Sequence, residues 1–132
     1  MLVLCWQLLL GANPKMKMVI SGGDKHLRTI TEAVITWCVK YFDLNKKDEL
    51  LFSVKIHPRD NCWGYCEQGS IDRSYKIYIA NNQTVRDFVA TLAHEMVHVK
   101  QWETGKWVGE GEREAARLQY LLADEIWRKG LV

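Results

Sequence analysis

The stretch from Thr84 to Gly105 constrains the chain most. Thr84 followed three residues later by Asp87 resembles a capping box with Asp in the usual Glu position. Phe88, Leu92, Met96 and Val99 then recur at helical steps, and Gly105 supplies a C-terminal stop. A helix with one apolar stripe must lay it on a partner surface, and two alternating segments provide one. Leu51–His57 carries Phe52, Val54 and Ile56 on one face, and Tyr75–Ile79 carries Tyr75, Ile77 and Ile79. Both predict half-buried strands. The Gly-, Asn- and Asp-rich stretch between them has room for a short strand near Gly64–Glu67.

Met16–Ser21 reads as a further short strand or lead-in, ending at Gly22-Gly23. Asp24 can cap an amphipathic helix of about five turns. Its apolar side carries Leu27, Ile30, Val34, Trp37, Cys38 and Tyr41, with Arg28, Glu32 and Lys40 opposite. Asn45–Asp48 is expected as a charged turn and Asn81-Asn82 as another. A last helix is expected over Glu112–Arg128, stopping at Gly130. Helix, strands, helix, helix predicts an α+β fold with a short mixed or antiparallel sheet of three to four strands.

At 132 residues and 15.4 kDa the chain has room for one domain, expected over 16–132, preceded by an apolar extension over 1–15. Its 48% hydrophobic content excludes a disordered chain. Met1–Leu10 is too short to span a bilayer. It lacks the early Lys or Arg of a secretion signal, and Leu10 stands where a small residue should precede Ala12. The domain pattern begins at Met16 or Met18, either of which would serve as a start. Eighteen basic against sixteen acidic residues give a charge of +2, with no dense Lys/Arg run, which argues against a dedicated nucleic-acid wrapper. Four cysteines without a CxxC pair fit a reduced, cytoplasmic protein better than a secreted disulfide scaffold.

His94-Glu95-Met96-Val97-His98 falls inside the capped helix. Residues four apart differ by about 40° around the axis, so both imidazoles leave one face a turn apart. Two neutral imidazoles so placed can share one tetrahedral Zn²⁺ at roughly 2.0–2.1 Å. Glu95 lies about 100° round from His94, beside the metal, where it can take a proton from the attacking water. With four His and nine Glu in the chain, shuffling produces this pattern roughly one time in a hundred.

A catalytic zinc site needs a third protein ligand and leaves one position for water. No histidine follows His98, so the third ligand is a downstream carboxylate or, less favourably, His57 or His26. Glu103 sits about 180° away from His94 on the same helix and points elsewhere. Glu110 stands in a Gly-flanked loop, and Asp124 and Glu125 lie further along. Glu112 opens the last helix with Ala115, Ala116 and Gln119 on its face, small residues that favour close approach. Glu114 shares its face with Arg117 and Leu118, and Arg117 would partly neutralise it. Glu112 is therefore expected ahead of Glu114.

Ala90–Gln101, then Gly105, Trp107 and Gly109, then Glu112-Arg113-Glu114-Ala115, resembles the small SprT-like zinc metallopeptidases common in bacteriophage genomes. More broadly the pattern is similar to the gluzincin type, HExxH plus a glutamate from the next helix. The likeness covers about Phe52–Leu122 and lacks the downstream ligand histidine and C-terminal zinc ribbon of full SprT proteins. It implies a small zincin-like domain, with a sheet-edge strand that pairs an extended peptide substrate across the zinc. Tyr75–Ile79 or the segment near Gly64–Glu67 is the candidate edge. The implied activity is metalloendopeptidase, with zinc on His94, His98 and Glu112, Glu95 as general base, and the host cytoplasm as its place of action. Tyr120, Tyr65 and His57 are candidate oxyanion donors. The competing reading is a non-catalytic, zinc-stabilised binding module.

Cys62 and Cys66 lack the spacing of a structural zinc site and are expected as thiols, with a hairpin disulfide as the minor alternative. Trp102 and Trp107 are expected in core packing ahead of a place in a substrate cleft.

Overall fold

The computed structural model describes residues 16–45 and 49–132. Lys46, Lys47 and Asp48 of the expected charged turn, and the apolar run Met1–Leu10, lie outside them. Strand β1 (Met16–Gly22) leads to helix α1 (Lys25–Tyr41). Strands β2 (Leu50–His57), β3 (Gly64–Gln68) and β4 (Ser74–Ala80) follow, then helices α2 (Val85–Thr104) and α3 (Glu112–Arg128). The fold is α+β, as the order of patterns predicts.

The four strands form one mixed sheet in the order β1-β2-β4-β3. β1 and β2 are parallel, β2 and β4 are parallel, and β3 returns antiparallel to β4. Register aligns the apolar face across strands: Met18 opposite Phe52, Phe52 opposite Tyr75, and Ile56 opposite Ile79. A one-residue slip would turn each of these side chains to solvent. Tyr75–Ile79 is thus an inner strand with both edges paired. The edge near the motif is β3, because the chain overshoots β4 after His57 and closes the sheet from its far side.

The first two helices pack on this inner face. Asp24 caps α1 by accepting from the Leu27 N–H at 2.8 Å, and Thr84 caps α2 by accepting from Asp87 at 3.1 Å. Ile30, Val34, Ile35 and Val39 of α1 join Phe88, Leu92, Met96 and Val99 of α2 over the sheet residues Ile20, Phe52, Val54, Ile77 and Ile79. Tyr41 departs from its expected apolar role: it is exposed at the end of α1, stacked on Trp37 with centroids 4.6 Å apart. Ala93 and Val97 on the other side of α2 pack with Ala115 and Leu122 of α3. α2 therefore lies between the sheet and α3. Ala115 is fully buried as expected, whereas Ala116 faces solvent, so one small residue rather than two lies in the helix–helix contact.

Gly64 marks where β3 meets α2. A Cβ there would lie 2.8 Å from both the Thr91 methyl and the Tyr78 carbonyl, so only glycine lets the edge strand come this close. At the opposite end of β4, Arg73 donates to Glu103 at 2.8 Å and Tyr75 OH donates to the other oxygen of the same carboxylate. No helix among the described residues is long and apolar enough to cross a membrane.

Candidate metal centre

His94 and His98 leave α2 on the face turned toward the start of α3, with ring centroids 5.1 Å apart. The Glu112 carboxylate spans them. Its Oε2 lies 3.0 Å from His94 Nε2 and its Oε1 2.8 Å from His98 Nε2. A tetrahedral ion with bonds of about 2.0–2.1 Å separates its ligands by about 3.3 Å, so these atoms stand near the spacing that an ion requires. His94, His98 and Glu112 form the His/Cys/Asp/Glu group among the described residues whose ligand atoms converge in this way.

The surroundings of the imidazoles sharpen the point. His94 Nδ1 lies 2.7 Å from Gln119 Oε1, and His98 Nδ1 lies 2.9 Å from Gln101 Oε1. The Gln101 amide cannot be turned round, because its Nε2 donates to the Gly111 carbonyl at 3.0 Å and to Glu114 at 2.9 Å. His98 Nδ1 therefore donates to Gln101, which turns its Nε2 toward the Glu112 carboxylate, and with Gln119 accepting from Nδ1 in the same way, His94 presents its Nε2 likewise. Acceptors facing acceptors repel unless a cation stands between them. Two imidazoliums would put two positive charges against one carboxylate that is itself 63% exposed. A single divalent ion satisfies all three groups, so the residues present fit zinc.

Gly111 fixes the geometry from below. It has φ +81°, and a Cβ there would fall 2.2 Å from Gln101 Oε1. Its carbonyl and the Glu112 side chain are one residue apart, so the helix start that offers the ligand also orients the amide behind His98. Neither Gln101 nor Gln119 is legible as a support in the sequence, although Gln101 closes the motif run and Gln119 lies two turns from Glu112. Supports of this kind tune affinity through ligand orientation. Gln101→Ala is expected to weaken zinc binding roughly 10–100-fold, measured by competition with a chromophoric chelator. An unchanged affinity would show that the ring of His98 is held by packing alone.

The other expected candidates are engaged elsewhere. Glu103 binds Arg73 and Tyr75, as its position on the helix requires. Glu114 accepts from Gln101 and, at 3.0 Å, from Lys100, contacts that hold its carboxyl below the usual range; Arg117 adds a smaller part. Asp124 pairs with Arg86 and Glu125 with Arg128. His26 is exposed in the first turn of α1, and His57 stands beside Gly22 at the end of β2; neither lines the cleft.

A cleft of about 240 Å³ opens onto the three ligands, walled by Gly64, Tyr65 and Cys66 of β3 on one side and by Trp102 and Glu110 on the other. Glu95 lines it too. It is 4% exposed and has no hydrogen-bond partner among the described residues. Burial, and then the Glu112 carboxylate, push its carboxyl up to about 8. A carboxyl raised in this way and lining a cleft beside a cluster of ligands marks a candidate functional site. Of the three oxyanion candidates, Tyr65 alone borders the cleft, through its place on β3; its ring stacks on Tyr78 with centroids 4.4 Å apart, on the outer face of the sheet and away from Glu95. Tyr120 is turned away, donating to Asp87 at 3.0 Å.

Trp102 serves in both expected ways: it stacks on Tyr75 at 5.8 Å and walls the cleft. Trp107 is 47% exposed and lies outside the cleft, not in the core. Cys62 and Cys66 are free thiols. Cys66 faces Glu95 from β3, and burial, followed by the charges of Glu95 and Glu67, raises its thiol. The sequence had offered no reason to bring Cys66 to the motif, because the alternation of β3 is too short to assign its faces. No family model, curated protein or solved structure matches the chain.

Proposed function

We propose that the chain is a zinc-dependent metalloendopeptidase. The observation that carries this reading is the placement of Glu95, buried and unpartnered, in the cleft that opens onto His94, His98 and Glu112. The resemblance of Ala90–Ala115 to the SprT-like zinc metallopeptidases points the same way. Zinc held by the three ligands would supply the positive charge that makes water acidic and polarises a carbonyl.

The chain's own residues supply the rest. β3 is the sheet edge beside the cleft, and Tyr65 and Glu67 on it are exposed. An extended peptide can therefore add to this edge by main-chain pairing and run past Glu95. A cation on the three ligands would favour the ionised form of Glu95, whose carboxylate takes a proton from the attacking water and returns it to the leaving amine nitrogen. Gln119 and Gln101, against the two Nδ1 atoms, orient the rings so that His94 and His98 would hold zinc through Nε2 together with Glu112. Free Cys38, Cys62 and Cys66 suit a reducing compartment, in line with a cytoplasmic site of action.

The three ligands also tie α2 to α3, which a non-catalytic zinc-stabilised module would use equally well. Glu95 favours the enzyme, since an ion that only joins two helices gains nothing from a buried acid beside it. Zinc content followed by cleavage of casein or a quenched fluorogenic peptide tests the proposal: one zinc per chain with metal-dependent cleavage is expected, and zinc without cleavage would leave the module. Removal of the ion should also destabilise the fold. At free zinc one hundred times Kd, binding adds about 2.7 kcal/mol, so chelation is expected to lower the melting temperature by several degrees in calorimetry.

A further inference from the structure

Beyond the rim formed by Glu110 and Glu112 lies a second, larger cavity of about 1060 Å³, lined by the 105–111 connection, the first turns of α3 and Lys100. The two share Glu110 and Glu112, so a chain leaving the cleft on this side enters the cavity directly. Its charge is uneven. Lys100 is bound to Glu114 at 3.0 Å and Glu112 faces the two histidines. That leaves Lys106, Arg113 and Arg117, exposed and without an ion pair among the described residues, against Glu110. Arg117 lends its field to Glu114 without bonding it. The half-exposed Trp107 adds an apolar wall.

We infer that this cavity receives the flanking segment of a peptide substrate that carries acidic side chains, held by Arg113, Arg117 and Lys106 with Trp107 packed alongside. The inference rests on the peptidase reading for its substrate and deepens it by naming the substrate's charge. Guanidinium groups suit carboxylates because their fork matches both oxygens. Three like charges within one cavity also repel each other, and a carboxylate relieves that repulsion. Exposed pairs contribute modestly, so two of them together correspond to roughly a fivefold to tenfold preference. The preference should appear in KM rather than kcat, since these side chains are remote from the reacting bond.

The test uses zinc-loaded Glu95→Gln protein and fluorescein-labelled peptides of equal length, with a Glu, Lys or Ser pair on either side of a central Ala-Phe. Fluorescence anisotropy is expected to show the Glu-pair peptide binding roughly fivefold to tenfold tighter than the Ser-pair peptide, with the gap closing as salt rises. The double change Arg113→Glu and Arg117→Glu should shift the preference to the Lys pair while zinc content stays unchanged; Lys106→Glu, on the exposed connection, should move it the same way. Equal affinity for the three peptides, or a preference indifferent to charge reversal, would overturn the inference. Binding and catalysis fail separately here. Selective binding without cleavage by the unmodified protein sinks the peptidase reading and upholds the acidic-segment site, whereas cleavage of all three peptides at one KM does the reverse.

Discussion

Glu95→Gln is expected to lower peptide turnover by roughly a hundredfold to ten-thousandfold while zinc binding stays intact. The substitution preserves shape, and the side chain is buried with no hydrogen-bond partner among the described residues, so packing changes little. What it removes is the buried carboxyl that lines the cleft next to His94 on the same helix. His94 and His98 cannot substitute, because their Nδ1 atoms face glutamine oxygens and their Nε2 atoms face Glu112. The readout is kcat with a fluorogenic peptide, alongside metal content by mass spectrometry. Full activity in a zinc-loaded variant would remove Glu95 from the chemistry.

The second large effect concerns stability. Glu103→Ala is expected to cost about 3–5 kcal/mol, because it leaves a deeply placed guanidinium without its carboxylate. The Arg73 and Glu103 side chains are only 9% and 12% exposed, and Tyr75 OH donates to the same carboxylate. Burial, reinforced by that hydrogen bond, raises the Tyr75 hydroxyl well above its ordinary range, so it remains a donor at any physiological pH. The network joins the start of β4 to the end of α2, the helix that carries both histidines. A loss of this size corresponds to a fall in melting temperature of about ten degrees or more. Tyr75→Phe, which removes one hydrogen bond and no charge, should cost nearer 1 kcal/mol. A Glu103→Ala protein that melts within a degree or two of the unaltered one would mean that water already solvates the pair.

The helix that carries the ligands was legible because its signals are local: a cap at Thr84, a stop at Gly105 and an apolar stripe between them. The same holds for α1 and for β2 and β4, whose alternation survives in the burial pattern. Strand order was not legible. Nothing within Tyr75–Ile79 tells that Gly64–Gln68 lies outside it, since that depends on how sixteen residues of connection cross the sheet. The site divides along the same line. His94, Glu95 and His98 follow from helical geometry alone, and Glu112 from elimination among acids whose faces could be worked out. Gln101, Gln119 and Cys66 escaped because each meets its partner across elements. Gln101 reaches the Gly111 carbonyl ten residues on, which also accepts from the Ala115 N–H, so no local pattern announces the contact.

The central claim is that His94, His98 and Glu112 hold one zinc ion, and an anomalous-scattering map recorded on crystals either side of the zinc absorption edge tests it most directly. A single peak within about 2.0–2.3 Å of His94 Nε2, His98 Nε2 and a Glu112 oxygen is the expected result. A peak seated on Cys62 or Cys66 instead, or no peak in crystals grown with zinc present, would contradict it.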